Sequence, residues 1–281
     1  MDLRKMFLIS RPVSWIIFPL GYGIGLVLGG IQVNLFHLIQ MFTLTLPASF
    51  VMFGINDVYD IDSDKLNPRK KDKFFGIVID EIDVPEIKKI SLFFSILIIV
   101  VSLFSFNLVH IFLTFLAVIS VYVYSVPPIR IKSRPIIDSI FNMLFIYLPF
   151  AMGYSLMGTL DFLNIHFIIF GLLGSAAHAI GTVSDLNSDK KTGIKTFATQ
   201  YGHVLPLIFA LFLFLINIPF ALNIELGAGI LLIFLSLATI LLIIYPTAPI
   251  FNWMILSIVL WMFYAIILYS FSPGSFNLSG F

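Results

Sequence analysis

The sequence predicts an all-α, polytopic membrane protein, and three observations predict it. Of the 281 residues 59% are hydrophobic and 11% charged, and the mean hydropathy is +1.05, a balance that belongs to a chain whose main solvent is lipid. The apolar residues come in runs long enough to cross a hydrocarbon core of roughly 30 Å, about 20 helical residues each. Charged residues lie mostly between these runs, and the exceptions gather at their ends.

Nine helices are expected, at 12–30, 34–56, 88–107, 109–125, 136–158, 164–185, 203–222, 227–245 and 249–271. The first starts too late and runs too long for a cleaved signal peptide, so it reads as a permanent span. The second ends on an acidic cluster. The third and fourth are divided by Asn107 and His110, and the fifth carries Asp138 and Asn142 near its start. The sixth contains His178 and ends on a second acidic cluster. The last three lie within a stretch from Tyr201 to Phe281 that has no Lys or Arg, so they take their orientation from the helices before them. Neither a linker nor a low-complexity tract divides the chain, and residues 1–281 read as one domain.

The sixteen Lys and Arg fall in four patches, at residues 4–11, 65–89, 130–134 and 190–195. With nine spans all four lie on one side, which the positive-inside rule makes cytoplasmic, with the N-terminus inside and the C-terminus outside. A net charge of +1 implies no nucleic-acid or other soluble partner. The absence of Cys excludes disulfides and thiolate metal sites.

Carboxylates beside membrane-length apolar segments are expensive to desolvate, so a group of them marks a functional site. Asn56, Asp57, Asp60 and Asp64 form one group, and Asp185 and Asp189 form another. On a continuous helix the spacing 57, 60, 64 puts all three carboxylates on one face, with Asn56 one turn before Asp60, and Asp185 and Asp189 again share a face. Hard oxygen donors of this kind suit Mg2+, which takes one or two carboxylates and completes its octahedron with water and phosphate oxygens. A faint internal echo aligns Asp60-Ile-Asp-Ser-Asp-Lys65 with Asp185-Leu-Asn-Ser-Asp-Lys190, which would bring both clusters to one end of a bundle.

The segments Asn56-Asp57-Val-Tyr-Asp60-Ile-Asp-Ser-Asp64 with Asn67-Pro68-Arg69, and Asp185-Leu-Asn-Ser-Asp189-Lys190 running on to Gly193 and Thr196, resemble the two Asp-rich motifs of the UbiA superfamily of intramembrane prenyltransferases. Tyr124-Ser-Val-Pro-Pro-Ile-Arg130-Ile-Lys132 is similar to the loop between them, and Arg11-Pro12 to the N-terminal signature. The resemblance implies nine helices around a central cavity, a polar end that takes an allylic prenyl diphosphate, and an apolar tunnel open to membrane lipid. It implies Mg2+-dependent transfer of the prenyl group to a hydrophobic acceptor. Asp57, Asp60 and Asp64 would hold one Mg2+ and Asp185 and Asp189 another, with Asn56 a neutral ligand or orienting group.

Arg69, Lys132 and Lys190 are candidates for the diphosphate, an Arg as a bidentate fork and a Lys as a point charge. Tyr124 is placed to hold its ring against the developing cation, and Asp138 and Asn142 to position acceptor or cation. His178 reads first as a buried side chain bonded to a neighbouring helix. Ser133-Arg134-Pro135 with Asp138, Ser139 and Asn142, and Gly181-Thr182 with Asp185, look most like the lycopene elongase branch, so a carotenoid is the favoured acceptor. A quinone precursor or glycerol lipid is the alternative. An ion-coupled transporter is the rival class, although its coupling acids normally lie near the bilayer midplane rather than at basic helix ends.

Overall fold

The computed structural model describes residues 1–66, 76–247, 249–254, 256–258 and 260. Its α-helices, in chain order, are α1 (Leu3–Ile9), α2 (Ile17–Leu28), α3 (Leu35–Thr43), α4 (Leu46–Val58), α5 (Ile61–Leu66), α6 (Val84–Leu103), α7 (Leu108–Ser125), α8 (Ile137–Phe141), α9 (Met143–Tyr154), α10 (Ile165–Ser184), α11 (Leu186–Thr192), α12 (Phe197–Tyr201), α13 (Val204–Ile224) and α14 (Leu226–Ile244). There is no β-strand among the described residues.

Each expected span from the first to the eighth falls on helix, but several are broken. Among the described residues six helical stretches are long and apolar enough to cross a membrane: Leu35–Val58, Leu108–Ser125, Ile137–Met157, Phe167–Ser184, Val204–Asn223 and Leu226–Ile244. A seventh arises if α1 and the helical chain from Pro12 to Leu28, bent by 52°, count as one. The run expected at 88–107 lies on α6, whose first turns hold Glu86, Lys88 and Lys89, so only residues 90–103 are free of charge. Helix resumes at Pro249, but most of the run to 271 lies outside the described residues. Nine spans are therefore not established by the described residues.

Two large apolar cores hold the bundle together, beside a smaller one of Ile9, Phe50, Val58, Ile79 and Ile87. One gathers Phe18, Tyr22, Val51, Val121, Phe150 and Met152 from α2, α4, α7 and α9. The other gathers Ala176, Ile180, Leu207, Phe214, Leu235 and Leu242 from α10, α13 and α14. The halves join where α10 packs on α8 and α9.

The tightest contact is the crossing of α2 and α9. A Cβ at Gly25 would lie 2.1 Å from the Phe150 carbonyl oxygen, and one at Gly153 would lie 2.2 Å from the Tyr22 carbonyl oxygen. Small residues facing each other let backbones approach closely and gain dispersion contacts that lipid cannot match. Between α2, α4, α6, α7 and α9 remains an apolar cavity, lined among others by Phe18, Val51, Ile98, Val121, Phe145 and Met152.

Because neither backbone can retreat without unpacking the first core, Gly153→Ala is expected to destabilise the protein by roughly 1–3 kcal/mol. Gly181→Ala, with nothing within 4 Å of the added carbon, is expected not to destabilise it. Thermal unfolding in a mild detergent separates the two.

Candidate active site

Both acidic segments sit where a long helix breaks and a short one starts. After α4 the chain turns at Tyr59 and Asp60 before α5, and after α10 it turns at Asp185 before α11. The faint sequence echo is also a local structural echo. The Ser63 hydroxyl donates to the Asp60 carbonyl at 2.9 Å and the Ser188 hydroxyl to the Asp185 carbonyl at 2.8 Å. The amides of Asp64 and Asp189 donate to those same carbonyls, at 2.8 and 3.0 Å. In each half a serine three residues past the turn closes it, and the final aspartate is carried on the new helix.

The two short helices pack directly on each other, so aspartates more than a hundred residues apart in the chain converge. Burial, then the like charges of Asp185 and Asp60, push the Asp189 carboxyl up to about 7, while Lys132 and the Thr196 hydroxyl act in the opposite direction. Carboxylates crowded this way hold more negative charge than the site neutralises by itself.

The cations that offset part of it come from two other segments. Lys132 is buried, donates to the Asn56 side chain at 2.9 Å and pairs with Asp60. Burial lowers its proton affinity against the opposing pull of Asp60. Arg130 bonds both the Tyr59 carbonyl and the Asp60 carboxylate at 3.1 Å. Arg11 reaches the fully buried Asp57 at 2.8 Å and lies over the Phe53 ring. Arg11 and Arg130 both have left-handed backbones, with φ of 49° and 38°. Non-glycine residues hold that conformation at a cost, and only where surrounding contacts enforce it.

Several expectations change here. The break at Tyr59–Asp60 means that Asn56, Asp57, Asp60 and Asp64 do not share one continuous helical face. Asp57 turns to Arg11, whereas Asp60 and Asn56 meet Lys132. Among the described residues no three His, Asp or Glu side chains gather closely enough to hold a metal by themselves. The donor set still fits Mg2+. It consists of hard oxygens, its charge surplus calls for a cation, and Mg2+ completes its shell with water and phosphate oxygens rather than protein alone.

Lys190 is exposed, and Arg69 lies outside the described residues. Asp138 is fully buried, and its two oxygens accept from the backbone amides of Ser139 and Phe197, at 2.7 and 3.0 Å. Asn142 donates to the Asp138 carbonyl at 2.8 Å. Asp138 thus ties the start of α12 to α8, while Asn142 bonds back within α8 and also meets the Tyr124 side chain. Arg11 and Arg130 were not among the candidates. The signal that could have found them is their place inside the Arg11-Pro12 and Tyr124-to-Lys132 segments already marked by the resemblance.

Tyr124 stands between this polar end and the apolar cavity. It is within electrostatic reach of Asp60 and Asp189. Its ring meets Phe145, which lines the cavity, edge-on at 5.4 Å. On α7 the residues Tyr124, Val121, Ala117 and Thr114 follow helical spacing, and the last three line the cavity. One face of α7 therefore runs about 15 Å from the charged end into apolar space.

A charged, metal-compatible end above a greasy cavity, inside an integral multi-pass membrane protein, is the architecture of an enzyme acting on a molecule with an ionic head and a hydrocarbon tail. The chain belongs to the UbiA prenyltransferase family, whose profile matches residues 16–271, and it is a prenyltransferase. A lycopene elongase/hydratase of Corynebacterium glutamicum is 29% identical over 203 residues, covering 71% of this chain and 70% of that protein. The lycopene elongase/hydratase of Halobacterium salinarum is 26% identical over 264 residues, covering 82% and 83%. A UbiA homolog from Archaeoglobus fulgidus, solved bound to DMAPP and Mg2+, superposes with a TM-score of 0.66 at 26% identity, covering 96% of this chain and 89% of that one.

Asp189→Asn removes the charge that its neighbours oppose, so the metal-free protein is expected to melt at the same temperature or higher. Addition of Mg2+ should then stabilise the variant less than it stabilises the wild type. A melting series with and without Mg2+ checks both.

Proposed function

We propose that the chain is a Mg2+-dependent intramembrane prenyltransferase that moves an isoprenoid chain from an allylic diphosphate to a hydrophobic alkene of the carotenoid class. The observation that carries this reading is the packing of α5 on α11 with Tyr124 within electrostatic reach of Asp60 and Asp189 and its ring against Phe145 at the cavity wall. Relatives named lycopene elongase/hydratase support the acceptor class, and the neighbour solved with DMAPP and Mg2+ supports the donor and the metal.

In this reading Asp57, Asp60 and Asp64 serve one Mg2+ and Asp185 and Asp189 another, each completed by water and phosphate oxygens, with Asn56 orienting, and Asp57 also anchors Arg11. When bound, Mg2+ offsets negative charge growing on the leaving diphosphate. Lys132 and Arg130, held over Asp60, face the same charge from the loop side. Donors aligned before the reaction stabilise such charge without reorganising when it appears. Arg69 and Lys190 are further candidates for the distal phosphate oxygens. The Tyr124 ring offers its π-face to the allylic cation, an attraction worth about 2 kcal/mol once water is excluded. The lining of the cavity is apolar because its hydroxyls are satisfied within their own helix, Thr114 by the His110 carbonyl and Ser120 by the Ala117 carbonyl. A hydrocarbon tail is thus accepted and water is not.

Residues 1–281 act as one domain. Nine spans, as counted from the sequence, set the N-terminus and the charged end on the cytoplasmic side, where the basic patches fall.

The test is the protein reconstituted in lipid vesicles with Mg2+, DMAPP or GPP, and a panel of acceptors, followed by mass spectrometry. Prenyl groups added to lycopene support the reading, whereas exclusive prenylation of a quinone precursor or a glycerol lipid overturns the acceptor class. Asp60→Asn and Asp189→Asn, made separately, are each expected to lower Mg2+-dependent diphosphate release by about a hundredfold or more. Unchanged release in both would remove the aspartates from the site.

A further inference from the structure

Transfer to an alkene creates a problem that the metal end does not solve. The allylic carbon–oxygen bond breaks and its electron pair leaves with the diphosphate. The acceptor's π pair then forms the new carbon–carbon bond, which leaves a cation on the neighbouring acceptor carbon. To end as an alkene, that intermediate must lose a proton from an adjacent carbon, whose C–H pair becomes the new double bond. The receiving base must lie at the boundary between the charged end and the cavity and must be free of ion pairs. Asp57 and Asp60 are engaged by cations, and Asp138 is bonded to two backbone amides.

One chain of side chains meets both conditions. The Tyr124 hydroxyl is 2.7 Å from Nε2 of His178 on α10, and Nδ1 of His178 is 3.0 Å from the Ser139 hydroxyl on α8. Three helices thus contribute one residue each. If Tyr124 donates to Nε2, the imidazole carries its proton on Nδ1 and donates it to Ser139, so the ring is neutral and held at both nitrogens. The Tyr124 ring lies flat against Phe141 and edge-on to Phe145, the latter at the cavity wall. His178 itself packs edge-on to Tyr124. Held this way, the hydroxyl stays at the junction of polar and apolar space.

We propose that Tyr124 and His178 form the proton exit for an alkene acceptor. The phenol oxygen takes the proton released by the acceptor cation as its own proton passes to Nε2 of His178, and Ser139 holds the resulting imidazolium from the far side. Tyr124 is the catalytic residue here. His178 is a positioning residue that acts through it and sets where the proton comes to rest. This assignment rests on the transferase reading above and adds to it the step by which the product cation is discharged. Tyr124 thus serves both stages, its ring facing the allylic cation and its hydroxyl the acceptor cation.

The experiment measures two yields in the same vesicles with Mg2+, DMAPP and lycopene: diphosphate released, and prenylated alkene formed. His178→Gln keeps a hydrogen-bonding partner for Tyr124 but cannot store a proton. It is expected to lower the alkene formed per diphosphate by about tenfold or more, within the range for a lost acid–base group, with the lost flux appearing as water-captured alcohol or free prenyl alcohol. Tyr124→Phe is expected to show the same shift in product ratio. His178→Ala is included as a folding check, with its melting temperature. A product ratio unchanged in both His178→Gln and Tyr124→Phe would overturn the proposal and assign the proton to the diphosphate. A parallel fall in both yields at constant ratio would overturn it in favour of a packing role. Wild-type protein that releases diphosphate only with a phenolic acceptor would instead defeat the acceptor reading itself, a result recognisable before any variant is made.

Discussion

Concentrated negative charge at the edge of an apolar bundle is the constraint around which the rest of this molecule is arranged. Asp185 and Asp60 lie near enough to Asp189 to raise its proton affinity. Such a group cannot persist beside lipid unless cations, backbone donors or a metal offset it. Nearly every unusual local feature traces to that need: the buried lysine at 132, the left-handed backbones of Arg11 and Arg130, and the backbone clamp at Asp138. The helix breaks at Tyr59–Asp60 and Asp185 serve it too, because a straight helix would carry these side chains past one another.

The same arrangement separates charge from hydrocarbon over a short distance. Asn56 and Asp60 belong to the polar network, while Val51 and Ala48, further back along α4, line the cavity. On α7 the same transition occurs between Tyr124 and Val121. Two neighbouring helices therefore change character at one level, and an amphipathic molecule would have its ionic and apolar parts sorted by depth. The close crossing of α2 and α9 at Gly25 and Gly153 keeps the cavity wall rigid on the other side.

Much of this was legible in residue types and spacing. Apolar runs marked the helices because lipid tolerates little else at that length, and the first eight runs all fall on helix. The two aspartate segments and Lys132 were legible as a site because charged groups beside such runs require a function or a partner. His178 was read as bonded to a neighbouring helix, and it bonds to two. The expectation of a single acidic face across residues 56–64 failed because periodicity assumes an unbroken helix, and nothing in those nine residues announces the turn at Tyr59. For Asp138 the sequence reveals that a buried acid needs a donor but not that two backbone amides supply it. Arg11 and Arg130 passed as topological charge because a basic loop residue looks alike whether it faces lipid headgroups or turns inward.

By itself the sequence determined the class: a multi-pass helical membrane protein with two related acidic segments and a loop carrying tyrosine, arginine and lysine between them. Those follow from composition and short-range spacing, which local physics can read. The tertiary structure alone decided which acids meet, which are neutralised and by whom, and that Tyr124 joins His178 and Ser139 at the boundary with the cavity. Those outcomes depend on helix breaks and on the packing of α5 against α11 and α7 against α10. Contacts between segments distant in the chain arise from the shape of the folded bundle, and no local pattern encodes them.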